Sequence, residues 1–355
     1  MKFKKFTLIT NYTCNSRCKF CYAANSKYDV DYCMTKDVFG KCLQIIKENK
    51  IDIVDLIGGE PTIHANFFYF LDRLSKLGVK ISLISNGRMF RDIAFLQKTI
   101  NSGVSRISMS FQVSNPEDAE SLLGSKEAYS DMLQAINNLK KFRNKIEFGL
   151  HVVLGKNDID FYKKVFLKIR ELGFSRCSIG PNNSSITNCG TIAHDDLSTF
   201  ILKLRPFLRK IGLKVKFLSK MPLCLFPARL LKKMLDNKEI NSCCAAYHKF
   251  YMHIDPDGSL LPCTYWIRTP MGNIDEFFTN NIFSKEKFNK KWIKGHFSEF
   301  RKKAFAYRSK KCKECKLFPK KCLGGCMLSY RNKDKKHIDR MIVGWKGGDI
   351  FYAGK

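Results

Sequence analysis

The segment Asn11-Tyr12-Thr13-Cys14-Asn15-Ser16-Arg17-Cys18-Lys19-Phe20-Cys21-Tyr22 sets three cysteines in a Cys-x3-Cys-x2-Cys run. Three thiols within eight residues cannot point far apart, so Cys14, Cys18 and Cys21 are expected to converge on one metal site. Three is one short of the four thiolates that close an iron–sulfur cube or a structural zinc site. A cube held by three keeps one iron open to an outside ligand, and an open metal position is where chemistry takes place. The chain carries 15 cysteines in 355 residues, and most of them are clustered. Disulfides are rare in reducing compartments, so metal or redox chemistry accounts for such usage better.

Other chemistry-bearing residues recur at fixed places. Gly58-Gly59-Glu60-Pro61 follows an apolar run, as do Ser85-Asn86-Gly87 and, further on, Ser110 and Asn157. A second cysteine array begins with Cys224, Cys243, Cys244 and Cys263 and ends with Cys312, Cys315, Cys322 and Cys326. Cys42 and Cys177, within apolar periodic segments, read as small buried residues. Cys33 and Cys189 have no motif spacing, and Cys189 lies in a polar loop from Pro181 to Gly190. Met34 and the Phe-rich segment Asn66 to Phe70 read as core packing.

The elements that must position these residues alternate over the first two-thirds of the chain. Strands are expected at Phe6 to Thr10, Ile53 to Ile57, Lys80 to Ile84, Arg106 to Phe111, Ile146 to Leu154 and Arg176 to Gly180. Amphipathic helices are expected at Lys36 to Glu48, Phe67 to Leu77, Met89 to Ile100, Tyr129 to Phe142, Phe161 to Leu172 and Leu197 to Ile211. Six βα units in succession imply an α/β fold, a parallel sheet with helices outside, curled by right-handed crossovers into a partial (β/α)6 TIM-like barrel. In that architecture the loops leaving the strand C-termini carry the chemistry. Cys14, Gly58, Asn86 and Asn157 all follow strand ends. From Lys214 the spacing becomes irregular. Phe250 to Thr264 reads as a hairpin turning at Asp255-Pro256-Asp257-Gly258. A basic, aromatic-rich helical stretch, Phe283 to Phe305, follows. The expected division is a core at 1–213, a small cysteine-rich α+β domain at 214–330 and a tail at 331–355.

Bulk properties bound the function. No apolar stretch approaches the length of a membrane span, and the basic start is followed by too short an apolar run for a secretory signal. The expected location is the cytoplasm. Net charge is +31, from 63 Lys and Arg against 32 Asp and Glu. Between Lys285 and Arg340 there are 20 basic and 5 acidic residues. Such a surface attracts anions: nucleic acid, phosphorylated or acidic substrates, or an acidic electron carrier. It also serves solubility.

Taken together, these motifs resemble the radical S-adenosylmethionine (SAM) family, and the C-terminal third resembles that family's SPASM extension. The resemblance covers about residues 5 to 330. It implies that Cys14, Cys18 and Cys21 hold a [4Fe–4S] cluster whose open iron takes the amino and carboxylate groups of SAM. Phe20 matches the aromatic position near the adenine. Gly58, Gly59 and Glu60 match the GGE motif, with the glycines allowing close backbone approach to the SAM ammonium and Glu60 helping to hold the cofactor. Ser85 and Asn86 match positions near the ribose, and Ser110 and Asn157 match further cofactor-side positions. The implied chemistry is reductive cleavage of SAM to a 5′-deoxyadenosyl radical that abstracts a hydrogen atom from the substrate. An acidic electron donor of ferredoxin or flavodoxin type is implied as a partner.

In the second array, Cys244, thirteen residues, Gly258, four residues and Cys263 fit the first half of the SPASM pattern. Cys312, Cys315, Cys322 and Cys326 fit the second half, one residue longer in the middle gap. By resemblance Cys244, Cys263 and Cys326, with Cys224 as fourth ligand, would hold a first auxiliary [4Fe–4S] cluster, Cys243 competing with Cys244. Cys312, Cys315 and Cys322 would hold a second. The usual pattern closes with one more cysteine, and none follows Cys326. Asp334, His337 or Asp339 could replace it, or the site could be open, or the cluster absent. A four-cysteine zinc knuckle of Cys312, Cys315, Cys322 and Cys326 is the competing reading.

Relatives with this extension mostly modify peptides or proteins, so a peptide or protein substrate is expected. The cluster motif starts at residue 14, which leaves no room before it for a leader-binding winged helix. Sulfatase-maturing relatives place an acidic residue after the hairpin cysteine, where this chain has Thr264. One alternative is a radical enzyme acting on a small phosphorylated or sugar-like metabolite. Another is a zinc-bearing nucleic-acid-binding protein using the basic, aromatic stretch Phe283 to Tyr307; that reading leaves Gly58, Gly59 and Glu60 without a role, so nucleic acid is not the expected partner. Metal analysis of anaerobically purified protein separates these readings: about twelve irons per chain are expected for three cubes, whereas about four irons plus one zinc would eliminate the auxiliary clusters.

Overall fold

A computed structural model describes residues 5–23, 32–155, 157–182, 194–218, 222–241, 244, 251–267, 270–295, 298–299, 312, 315–318 and 320–326. The chain alternates strand and helix from its start: β1 (Lys5–Ile9), α1 (Lys36–Glu48), β2 (Ile53–Ile57), α2 (Phe67–Lys76), β3 (Lys80–Ser85), α3 (Ile93–Asn101) and β4 (Val104–Ser110). After α4 (Pro116–Leu123) and α5 (Glu127–Lys141) come β5 (Glu147–Leu154), α6 (Ile159–Glu171), β6 (Arg176–Pro181), α7 (His194–Lys210), β7 (Lys214–Leu218), α8 (Ala228–Asp236) and β8 (Ile240–Asn241). A hairpin of β9 (Tyr251–Ile254) and β10 (Leu260–Leu261) follows.

These ten strands form one sheet in the order β10-β9-β1-β2-β3-β4-β5-β6-β7-β8, and a separate antiparallel ribbon pairs Phe278–Thr279 with Ile282–Phe283. Every pair is parallel except β9 with β10. The two terminal strands are not paired to each other, so the barrel is partial. Strands such as β5 alternate: Leu150, Val152 and Leu154 are buried while Gly149, His151 and Val153 are half-buried. The buried set faces the helices, as Leu154, Ile179 and Phe217 meet Leu197 and Ile201 of α7. The half-buried set lines the inner face. On the far side Phe39 of α1 stacks on Phe70 of α2 with ring centroids 4.2 Å apart. Met34, Phe67 and Phe70 are buried as expected, while Tyr69 turns outward. Cys42 and Cys177 are buried in the core.

Three departures from the sequence pattern have physical causes. The expected helix Met89 to Ile100 is broken at Asp92, whose extended backbone and side chain cap α3 by accepting from the Ala94 and Phe95 amides at 2.8 and 3.3 Å. An unforeseen helix, α4, precedes α5. Asn115 caps it, Pro116 occupies its first turn, and Gly124 ends it at φ 80°. The expected helix Phe283 to Phe305 is, among the described residues, a short turn Lys285–Phe288 running into a wide turn Asn289–Lys294. Phe288 and Trp292 there are buried, so these aromatics pack inward instead of facing a nucleic acid.

The sheet runs across the expected division at residue 213. Strands β7 and β8 prolong one edge, and β9 adds to the other by pairing with β1 from Lys5↔Tyr251 to Leu8↔Ile254. Without β9, the ladder groups of β1 would form an unpaired edge. Gly258, at φ 85°, closes the β9–β10 turn through its amide to the Asp255 carbonyl at 2.9 Å. The tail 331–355 lies outside the described residues, as do Cys189, Cys243, Asp334, His337 and Asp339. Among the described residues no helix is long and apolar enough to cross a membrane. Replacing the α3 cap, Asp92→Ala, is expected to lower stability by about 1 kcal/mol, read as a lower urea midpoint with an unchanged slope.

Candidate active site

The loop after β1 carries Cys14, Cys18 and Cys21 at the C-terminal end of the sheet, beside the ends of β2 and β3. Its backbone is laid directly on the two glycines after β2. The Gly59 amide donates to the Asn11 carbonyl at 2.7 Å and the Glu60 amide to the Thr13 carbonyl at 2.9 Å. The Asn11 side-chain amide donates to the carbonyls of Thr13 and Glu60 at 2.8 and 3.1 Å. A Cβ on Gly58 would run into the Asn11 carbonyl, and one on Gly59 into the carbonyls of Tyr12 and Thr13. These glycines are thus required by the seating of the cysteine loop.

Glu60 is wholly buried. One carboxylate oxygen accepts from the Thr62 amide at 3.2 Å, the Thr62 hydroxyl at 2.6 Å and the Ser85 hydroxyl at 2.9 Å. The other accepts from the Asn86 amide at 2.7 Å. Burial raises its pKa, against the pull of these hydrogen bonds. Glu60 therefore ties the end of β2 to the end of β3. Asn86 continues the chain of contacts: its side-chain amide lies 3.7 Å from the Cys14 sulfur and donates to the Asn15 side chain at 2.7 Å.

Arg88, one turn on, donates to the Asn15 carbonyl and, at 3.5 Å, to the Ser16 hydroxyl. Its Nε donates to Asp131 of α5 at 2.8 Å, and Arg91 holds the second Asp131 oxygen at 2.7 Å. The loop is also pinned to α4, the Arg17 amide donating to the Leu123 carbonyl at 2.8 Å and the Lys19 amide to the Leu122 carbonyl at 3.0 Å. Phe20 reaches the far side of the barrel, against Gly155 just past β5. Ser110 ends β4 opposite His151, half-buried on the inner face, and His151 lies 2.8 Å from the Ser178 hydroxyl. Asn157 is exposed.

The thiols feel one another. Burial pushes Cys14 up to about 11, and Glu60 and Cys21 add to the rise. Burial also raises Cys18, followed by the charges of Cys21 and Cys14, with Arg88 pulling the other way. A desolvated trio of mutually repelling thiols becomes a trio of thiolates only beside a cation, so the donor set suits a metal cluster. Among the described residues no three His, Cys, Asp or Glu side chains are grouped to share a single metal ion. The thiolates of a cube each bind a different iron and need not be so close.

Comparison with known families agrees with this geometry. A profile described as the radical SAM superfamily matches residues 8–179, and one described as an iron–sulfur cluster-binding domain, SPASM, matches residues 243–316. The chain belongs to the radical SAM superfamily. It is a radical SAM enzyme with a SPASM region, and its fold is the partial (β/α) barrel with a smaller C-terminal region. Its relatives include a probable GTP 3′,8-cyclase of Saccharolobus islandicus, 24% identical over 266 residues that cover 72% of this chain and 80% of that protein. The GTP 3′,8-cyclase of Aquifex aeolicus is 25% identical over 168 residues, covering 44% and 52%. Streptococcus suis SuiB bound to its precursor peptide SuiA superposes with a TM-score of 0.64 at 18% identity, over 94% of this chain and 74% of that one. Native anSMEcpe with bound AdoMet superposes with a TM-score of 0.67 at 17% identity, over 96% and 98%. At these identities the two structures establish shared fold.

The SPASM hairpin of this radical SAM enzyme reaches back to the cysteine loop. Asp255, in the β9–β10 turn, accepts from the Tyr12 hydroxyl at 2.6 Å and the Tyr32 hydroxyl at 3.1 Å, and the two rings stack at 5.9 Å. Tyr22, next to Cys21, donates to the Gly58 carbonyl at 3.2 Å, and its ring lies 5.4 Å from that of Tyr265, two residues after Cys263. Sequence reading passed over Asn11, Arg88, Asp131, Tyr12, Tyr22, Tyr32 and Asp255 as site-building residues. Arg88, directly after Ser85-Asn86-Gly87, had a signal in its position. The partners of Asp131 and Asp255 lie far away in sequence, with no local pattern to mark them.

Burial pushes the Asp255 carboxyl up to about 7 from its ordinary 3.8, and the charge of Asp257 adds to that, against the two tyrosine hydrogen bonds. The folded state thus holds a proton that the unfolded chain releases. Stability is therefore expected to fall as pH rises from about 4 to about 7, by up to about 1.4 kcal/mol per pH unit. Urea titrations across that window should show this slope, and Asp255→Asn should flatten it.

Proposed function

We propose that the chain reductively cleaves SAM and modifies a peptide or protein substrate by hydrogen abstraction. The observation that carries this reading is the seating of the three-cysteine loop on Gly58 and Gly59, with Glu60 and Asn86 bridging the adjoining strand end. Cys14, Cys18 and Cys21 would hold the [4Fe–4S] cluster, and Phe20, Ser85, Asn86, Ser110 and Asn157 would line the SAM side. When bound at Cys14, Cys18 and Cys21, the cluster would supply the electron for reductive cleavage of SAM to the radical that abstracts hydrogen from the substrate. The chain's own part is positional. Glu60, already saturated with donors, sets Ser85 and Asn86 in place, and Asn86 and Arg88 fix the loop on either side of Cys14.

The peptide or protein substrate is supported by the likeness to SuiB with its precursor peptide over nearly the whole chain. A second reading, a small phosphorylated metabolite, is supported by the GTP 3′,8-cyclase relatives and by the net charge of +31. An acidic ferredoxin or flavodoxin would suit the same basic surface as electron donor, and a cytoplasmic location fits these roles. Cys244, Cys263 and Cys326 would hold an auxiliary cluster, and Cys312, Cys315 and Cys322 a second.

The test is anaerobic incubation of the iron-loaded protein with SAM and strong reductant, with 5′-deoxyadenosine measured by chromatography. The nucleoside is expected from the wild type, none from Cys18→Ala, and a reduced amount from Cys315→Ala. No product from the wild type would end the radical reading, and equal residual cleavage in both variants would end the division between clusters. If added GTP, and not peptide, acquires a modification, the second reading replaces the first.

A further inference from the structure

Cys312, Cys315 and Cys322 make three thiols in search of a fourth, and no cysteine follows Cys326. The chain folds them together by consecutive turns. The Cys315 amide donates to the Cys312 carbonyl at 3.2 Å, the Phe318 amide to the Cys315 carbonyl at 3.0 Å, and the Cys322 amide back to the Leu317 carbonyl at 3.0 Å. Cys322 is buried, and its sulfur accepts from two backbone amides, Gly324 at 3.3 Å and Leu223 at 3.5 Å. Backbone amides aimed at cysteine sulfurs recur around iron–sulfur clusters.

Leu223 belongs to another part of the chain, 99 residues earlier. It opens the short turn Leu223–Leu225 between β7 and α8, and its side chain is fully buried, which anchors the turn. The next residue is Cys224. The bond from the Leu223 amide to the Cys322 sulfur therefore sets Cys224, one residue on, next to the contact with that thiol. Cys224 lies upstream of residues 243–316, where the SPASM profile matches.

We propose that Cys224 is the fourth thiolate of the second auxiliary cluster, completing the set Cys312, Cys315 and Cys322. The assignment rests on the reading that these cysteines hold an iron–sulfur cluster. It moves Cys224 out of the first set, leaving Cys244, Cys263 and Cys326 there, and it needs no ligand from Asp334, His337 or Asp339. The missing downstream cysteine is replaced by one from the turn between β7 and α8.

The test counts iron on the full chain reconstituted anaerobically with iron and sulfide. About twelve irons are expected for the wild type, about eight for Cys315→Ala, and again about eight for the double variant Cys224→Ala with Cys315→Ala, because both thiols serve one cluster. A double variant that drops to about four irons places Cys224 in a different cluster and overturns the assignment. Cys224→Ser, which keeps the volume, is expected to alter the electron paramagnetic resonance signal that Cys315→Ala deletes and to leave the others as they are. A wild-type spectrum in Cys224→Ser overturns the assignment as well. A wild type with only about four irons overturns the auxiliary-cluster reading and this assignment with it, an outcome distinct from the additive loss.

Discussion

A carboxylate taken out of water costs several kcal/mol unless donors surround it. Glu60 is wholly buried at the joint between β2 and β3 and takes four hydrogen bonds from Thr62, Ser85 and Asn86. Each donor that solvates the carboxylate is thereby fixed. Asn86, held by its amide, presents its side chain toward Cys14 and Asn15. The glycines before Glu60 let the cysteine loop lie flat on this joint, backbone to backbone. The thiols are thus placed through a rigid pair of strand ends, although they sit on a loop.

Two further charged contacts close the frame. Arg88 spans the Asn15 carbonyl and Asp131, so the loop is tied to α5, and Arg91 completes the neutralisation of that buried acid. On the other side Asp255 receives two tyrosine hydroxyls from the loop and its sequel. The C-terminal hairpin therefore does two things at once. It caps the edge of the sheet at β1, and it supports the segment that carries the first three cysteines. Coupling between the SPASM region and the radical site follows from shared backbone and shared hydrogen bonds.

Likeness of fold and likeness of sequence lead to different relatives. Likeness of fold runs to a peptide-bound enzyme over most of the length, while likeness of sequence runs to cyclases of GTP. The aromatic residues Phe288 and Trp292, which in sequence look available for stacking on bases, are buried in the C-terminal core.

Much of this was legible from the residues alone. Local spacing determined the cysteine loop, and the periodicity of the first two-thirds determined a parallel sheet with its chemistry at the strand C-termini. The glycines and Glu60 were found by sequence, but their seat against the backbone of Asn11 to Thr13 was not, since it joins segments about fifty residues apart. Helix α4 and the break at Asp92 escaped because caps of one or two residues outweigh periodicity there. Only the tertiary structure decided that β9 pairs with β1, that Asp255 and Asp131 clamp the loop, and that Leu223, next to Cys224, reaches the Cys322 sulfur. Those contacts join residues tens to hundreds of positions apart, and no local preference of the chain encodes them; they arise when the sheet closes its edges and buried charges find their partners.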